Sequence, residues 1–282
     1  MNKDTTFSEF SIKARKKIVV FSRPAVMGIL NITDDSFYDG GQYNTTQTML
    51  DHALSLIADG ADIIDIGASS SRPGAKLLSP EDEAKKLVAA IGELRRELPE
   101  AIISVDTCYS VPARAAIEAG ADMINDIGGG RFDDRMFATV AELDVPYILM
   151  HSRGTPETMQ SMTDYDDIID DLAKFFSQKL DELYRLGISD VWLDPGFGFA
   201  KTVNQNHELL HRLDELCSLF RQPMVAALSR KSMIYKPLDI TPDNALNGTI
   251  ALDTVALMKG ARVVRVHDPK PALETIKLLQ IC

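Results

Sequence analysis

Apolar runs of strand length recur along the chain, at residues 25–30 (AVMGIL), 62–66 (DIIDI), 101–105 (AIISV), 122–127 (DMINDI), 145–150 (VPYILM), 191–193 (VWL), 223–228 (PMVAAL) and 261–266 (ARVVRV). Each is too short for a buried helix and long enough for a strand. Between them lie stretches with apolar residues at helical spacing, and the ends of those stretches are punctuated. Ser79-Pro80-Glu81-Asp82 and Thr241-Pro242-Asp243-Asn244 set a hydroxyl cap ahead of proline and polar or acidic residues, the order in which a helix opens. Gly60, Gly120, Gly187 and Gly260 fall between a helical stretch and the next run, where a left-handed residue ends a helix. The repeating unit is strand, loop, helix, glycine.

Eight such units without a linker or a break in composition predict one α/β domain over residues 1–282, a (β/α)8 TIM barrel, with a doubly wound open sheet as the alternative. The ends of the runs favour the barrel. Asn31, Asp106, Asn125, His151, Asp194, the Ser229-Arg230-Lys231 trio, Arg265 and His267 all stand where an apolar run stops. In a parallel barrel those C-terminal strand ends meet at one mouth. Within the N-terminal segment 1–22, residues 10–22 alternate basic and apolar positions, which predicts a hairpin closing the bottom of the barrel.

Composition narrows the partners. With 45% hydrophobic and 25% charged residues the chain is an ordinary globular one, and a net charge of −11 repels a phosphate backbone, so no nucleic acid is expected. Cys108, Cys217 and Cys282 are odd in number and widely spaced, which fits neither a zinc site nor a disulfide framework and points to a reducing cytoplasm. The polar N-terminus lacks the apolar core of a signal peptide, and no run approaches membrane-spanning length, so no membrane partner is expected. Small-molecule substrates remain.

Asp106, Asn125 and Asp194 close three different runs. Singly each reads as a turn or a cap, but three converging at one mouth supply the acceptors and amide fork that a bicyclic heteroaromatic with adjacent amino and amide groups requires. LSRKSM, residues 228–233, places Arg230, Lys231 and Ser232 where a strand gives way to a helix N-terminus, an anion site, although a solvated basic turn explains the segment equally well. In VVRVHDP, residues 263–269, Arg265 and His267 share a face, and the arginine requires either a bound anion or a buried carboxylate. With the Asn31 oxygen suited to Mg2+, the mouth has the groups for a magnesium-bound diphosphate.

Three loops add to this set. Residues 33–41 (TDDSFYDGG) and 69–75 (SSSRPGA) have the composition of active-site lids and equally of exposed loops, while DPGFGF, residues 194–199, offers Phe197 and Phe199 as stacking surfaces or as packing. His207-Glu208-Leu209-Leu210-His211 matches the zinc-protease pattern H-E-x-x-H. On a helical wheel, however, Leu209, Leu210, Leu213 and Leu216 form the inner stripe and leave both histidines on a solvated face without a third ligand.

Taken in order, MGILNITDDSFYDGG, SRPGA, ISVDT, INDI, LDPGFGF, SRKSM and RVHD resemble the dihydropteroate synthase family, from about residue 24 to 280. The resemblance implies a (β/α)8 barrel, a homodimer, and condensation of 6-hydroxymethyl-7,8-dihydropterin diphosphate with 4-aminobenzoate. It implies pterin binding by Asp106, Asn125, Asp194, Lys231 and Phe199, and diphosphate binding by Asn31, Arg72, Arg265 and His267, with Asn31 also on Mg2+. For aminobenzoate it implies Phe37, Ser71, Arg72, Pro73, Phe199, Lys231 and Ser232, and as catalytic residues Lys231, Arg265, His267, Asp35, Phe37 and Arg72. This chain departs from the usual family pattern at Asp34, where proline is usual, at Ala68-Ser69, where glycine-glutamate is usual, at Ser71 for threonine and at Ala227 for glycine. A non-catalytic pterin-binding paralogue with altered lids is the competing expectation. A pterin-dependent methyltransferase of the related barrel family has no need of SRPGA or SRKSM.

Overall fold

The computed structural model describes residues 7–15, 17–32, 42–69, 78–155 and 157–281, with residues 42–45 described by their backbone alone. Every predicted apolar run contains a strand: β3 (Ala25–Asn31), β4 (Ile63–Gly67), β5 (Ile102–Asp106), β6 (Met123–Asp126), β7 (Tyr147–Met150), β8 (Val191–Asp194), β9 (Val225–Ala226) and β10 (Val263–Val266). They form one parallel sheet in the order β8-β7-β6-β5-β4-β3-β10-β9. The sheet closes through a single parallel bridge between Leu193 and Met224, with Leu193 N–H donating to the Pro223 carbonyl at 3.0 Å. The result is a (β/α)8 barrel.

The seventh barrel strand, β9, is much shorter than its run. Pro223 has no N–H for a ladder, and the chain turns at Leu228, whose carbonyl accepts from Lys231 N–H, so only Val225 and Ala226 pair with β10.

Helices α1 (Gln42–Ala58), α2 (Pro80–Glu97), α3 (Ser110–Glu118), α4 (Met136–Leu143), α5 (Ile168–Arg185), α6 (Val203–His211), α7 (Leu213–Leu219), α8 (Ser232–Tyr235), α9 (Leu246–Met258) and α10 (Pro269–Leu279) separate and follow the strands. Ser79 caps α2 as its sequence predicts, its hydroxyl accepting from Asp82 N–H, with Pro80 at the first helical position. Thr241 instead opens a three-residue 3-10 turn, and α9 begins only at Leu246. The four cap glycines all have positive φ, between 85° at Gly187 and 116° at Gly120. The helical pattern spanning 203–219 breaks at Arg212, whose guanidinium binds Asp167, Glu208 and Glu215.

Strand alternation sorts the side chains into two cores. Ile64, Ile66, Ile103, Val105, Ile124 and Leu149 point outward and pack with helix residues such as Leu87, Ile91 and Leu94. Met27, Ile63, Ile102, Met123, Ile148, Trp192, Val225 and Val263 join an inner cluster with Ile12, Ala14 and Phe21. Those last three belong to an antiparallel hairpin, β1 (Phe10–Ala14) and β2 (Lys17–Phe21), registered Phe10 to Phe21 through Ala14 to Lys17. The Trp192 ring meets Phe10 and Phe21 edge-on, at 5.6 and 6.4 Å between centroids. Burying such a ring stabilises by about 2–3 kcal/mol, offset in part because the indole N–H has no partner.

Two residues further along each strand the interior changes character. Asp65, Ser104, Asn125, Asp194 and Arg265 occupy the positions one alternation above Ile63, Ile102, Met123, Trp192 and Val263, and Asp106 stands one alternation above Ser104. The barrel is therefore apolar at its floor and charged at its mouth.

Candidate active site

Arg265, on β10, divides the side fork of its guanidinium between two strands. Its Nε donates to Asp65 Oδ2 at 2.6 Å and its Nη2 to Asp106 Oδ2 at 2.8 Å. Asn125 Nδ2 donates to the same Asp65 oxygen at 3.0 Å. Of the two partners the sequence left open for Arg265, carboxylates hold it in this structure. Asp106 is raised to about 7, chiefly by burial, with Arg265 opposing the rise and the acids Asp65, Asp126 and Asp194 adding to it.

Asp65 was missed by the sequence reading. Its signal was the one that singled out Arg265: a charge inside a buried parallel strand must find a partner. Its side chain is wholly buried, and its second oxygen, Oδ1, has no partner among the described residues.

Across the mouth, Asp194 closes β8 and accepts from Gly196 N–H at 2.7 Å. Burial raises its pKa, opposed first by Lys231. Lys231 Nζ donates to the Phe197 carbonyl at 2.6 Å and lies 4.9 Å from the centre of the Phe199 ring. Burial brings this lysine down to about 8, against the pull of Asp194. The two phenylalanines part company: Phe199 stays half-buried beside Lys231, whereas Phe197 is fully buried packing and offers no stacking surface.

Beneath that loop sits a second lysine, which the sequence did not mark. Lys201 Nζ donates to the carbonyls of Gly196 and Phe199 at 3.0 and 3.1 Å and lies 3.2 Å from His151 Nδ1. Burial brings it down to about 7 and holds His151 well below the usual imidazole range. The loop passes so close to His151 that a Cβ on Gly196, at φ 69°, would fall 1.9 Å from its carbonyl oxygen.

The SRKSM turn divides its labour. Ser229 Oγ pairs with His267 Nδ1 at 2.9 Å and accepts from His267 N–H at 3.3 Å. Arg230, at φ 56°, closes its Nε and Nη2 on the Asp268 carboxylate, so it is a structural clasp. Ser232 opens α8, a single turn of four residues, so the full helix dipole expected behind it is absent and only the N–H groups of that turn remain.

Asn31 ends β3 with its side chain at the exposed rim, in register with Gly67, which in turn pairs with Asp106. Asp34, Asp35, Phe37, Ser71, Arg72 and Pro73 lie outside the described residues. Among the departures from the family pattern, Ala68 and Ala227 are buried, and Ser69 Oγ is buried without a partner among the described residues. The histidine pair of 207–211 is corrected in part: His211 is exposed, but His207 is half-buried with Nε2 2.9 Å from the Met233 carbonyl. No group of three His, Cys, Asp or Glu among the described residues could hold a metal ion.

The mouth thus gathers the carboxylates of Asp65, Asp106 and Asp194, the amide of Asn125, the Arg265 guanidinium, the Lys231 amine and the His267 ring. Residues 27–267 match the family described as pterin binding enzyme, and the chain belongs to that family. The dihydropteroate synthase of Streptococcus pyogenes serotype M3 is 42% identical over 267 residues, 93% of this chain and 97% of that one. Among solved structures, the Yersinia pestis dihydropteroate synthase with a sulfonamide drug complex superposes with a TM-score of 0.88 at 36% identity, covering 96% of this chain and 98% of that one. The Xanthomonas albilineans dihydropteroate synthase with 4-aminobenzoic acid gives 0.88 at 34% identity, covering 97% and 98%.

Proposed function

We infer that the chain is a transferase working as a dihydropteroate synthase: it condenses 6-hydroxymethyl-7,8-dihydropterin diphosphate with 4-aminobenzoate to give 7,8-dihydropteroate and diphosphate in folate biosynthesis. The observation that carries this reading is the convergence of Asp106, Asn125, Asp194 and Lys231 on the barrel mouth that also holds Arg265 and His267.

Asp106, Asn125 and Asp194 hold the pterin by its N–H groups and ring nitrogens, and Lys231 donates to it beside Phe199. Arg265 and His267 face the diphosphate. The carbon–oxygen bond at the pterin methylene breaks with its electron pair leaving on diphosphate, and these two groups stabilise that developing charge. The aromatic amine, unprotonated at neutral pH, attacks the cationic methylene and then loses a proton. By the family resemblance Phe37, Ser71, Arg72, Pro73 and Ser232 serve the aminobenzoate subsite, Asp35, Phe37 and Arg72 are catalytic residues, and Arg72 also binds the diphosphate.

Mg2+ fits as part of the substrate. Asn31, exposed at the rim, would supply one oxygen to the ion, which would balance leaving-group charge. One pterin-binding barrel domain across residues 1–282, acting as a cytoplasmic homodimer, completes the proposal. In its support, no helix among the described residues is long and apolar enough to cross a membrane.

The test is diphosphate release by purified protein given the dihydropterin diphosphate and Mg2+, with and without 4-aminobenzoate, with chromatography for dihydropteroate. Aminobenzoate-dependent product is expected. Pterin binding without product, where a working synthase turns over, would make this a binding paralogue.

A further inference from the structure

The Arg265 guanidinium has two carboxylate neighbours, and the proposed function asks different things of them. Asp106 must accept from the pterin, yet in this structure it accepts Arg265 Nη2. A donor that loses its acceptor in a desolvated site turns to the nearest free one. Asp65 offers such an acceptor. That carboxylate already holds Arg265 Nε at 2.6 Å, and its Oδ1 is buried with no partner among the described residues. Nε and Nη2 lie on one side of the guanidinium and together match the two oxygens of a single carboxylate. Arg230 makes this closure on Asp268, three residues after Arg265, with Nε at 3.2 Å and Nη2 at 2.9 Å.

We propose that Asp65 is a positioning residue: when the pterin engages Asp106, the released Nη2 of Arg265 closes on Asp65 Oδ1, and Arg265 stays fixed with its remaining donors towards the diphosphate. Asp65 also holds Asn125 Nδ2, so one carboxylate sets the register of the pterin amide and the diphosphate cation together. Its buried place in mid-strand β4, flanked by β3 and β5, makes it a rigid pivot. The proposal rests on the synthase reading for what Asp106 and Arg265 each bind.

The test compares affinities of the full-length protein for 6-hydroxymethyl-7,8-dihydropterin and for its magnesium diphosphate, by calorimetry. In Asp65→Asn the affinity gained from the diphosphate should shrink by about 10–100-fold, the worth of a charge-assisted hydrogen bond, while the melting temperature shifts little. In Arg265→Lys, which cannot fork, adding Asp65→Asn should remove no further diphosphate affinity, the mark of one residue acting through another. A merely structural role would weaken both ligands in parallel and leave their ratio unchanged, which overturns the proposal. Should Asp65→Asn fail to fold, the wild type decides by NMR, with the Arg265 Nε–H resonance assigned through Arg265→Lys: it should remain in slow solvent exchange when the unphosphorylated pterin saturates the site, and fast exchange would overturn the pivot. Wild-type protein that binds neither ligand would sink the synthase reading and the pivot together. A wild type that binds both, with an unchanged ratio in the variant, sinks only the role of Asp65.

Discussion

Lys231, from the turn after β9, donates its Nζ to the carbonyl of Phe197, in the loop after β8, at 2.6 Å. One side chain therefore joins the two loops that flank Asp194 and lies beside the ring of Phe199.

Lys231→Ala should lower kcat/KM for diphosphate release by about 10²-fold or more, since it removes a preorganised donor from the desolvated mouth. The fold should survive: the unpaired Phe197 carbonyl costs on the order of 1–2 kcal/mol, and losing a buried cation offsets part of that. Turnover and thermal melts on the same sample check both halves. A near-normal rate would remove Lys231 from the site.

The same lysine predicts a pH profile. Burial holds it down to about 8, so it donates as a cation below that pH and loses the charge above it. kcat/KM should fall as pH rises through this region. Stability moves the opposite way for this group: between about 8 and 10 the unfolded chain binds the proton that the folded one has released, so the folded state gains. Loss of rate with unchanged circular dichroism is the expected signature, and a rate flat to high pH would contradict it.

Glu83, buried on α2, is pushed up to about 7, chiefly by burial and against a hydrogen bond from Thr107. Its folded pKa lies above its unfolded one, so the stability it contributes is full in acid and is lost as pH rises through about 7. Glu83→Gln should therefore stabilise by on the order of 2 kcal/mol at pH 8, roughly 3–6 °C in Tm, and do little at pH 5. Melting curves at the two pH values measure this.

Replacing His207 and His211 together by alanine should leave the rate within about twofold, since neither contacts the mouth, and should cost on the order of 1 kcal/mol for the bond between His207 and the Met233 carbonyl. A large loss, with zinc found in the purified protein by metal analysis, would restore the protease pattern as a metal site.

The framework was legible because it is written in local chemistry. Short apolar runs, cap residues and glycines needing positive φ act within a few positions of themselves, and eight strands followed from them. The residues missed act across the barrel. Asp65 sits inside an apolar run, and only the arrival of Arg265 from 200 positions away explains its charge. Lys201 reads as a surface lysine until the loop of residues 196–199 folds over it. Phe197 and Phe199 are two apart in a glycine-spaced loop, and nothing local tells which faces the core. Arg212, where the 203–219 pattern breaks, likewise binds a distant acid, Asp167, the N-cap of α5.

The barrel closes where its ladder is thinnest. Asp194 and Phe199 stand on one bank of the junction between β8 and β9, Lys231 on the other, and a single bridge joins the strands beneath them. A guest grasped from both banks would act as the missing rungs of that ladder. Occupancy would then tie the wall together as well as fill the pocket.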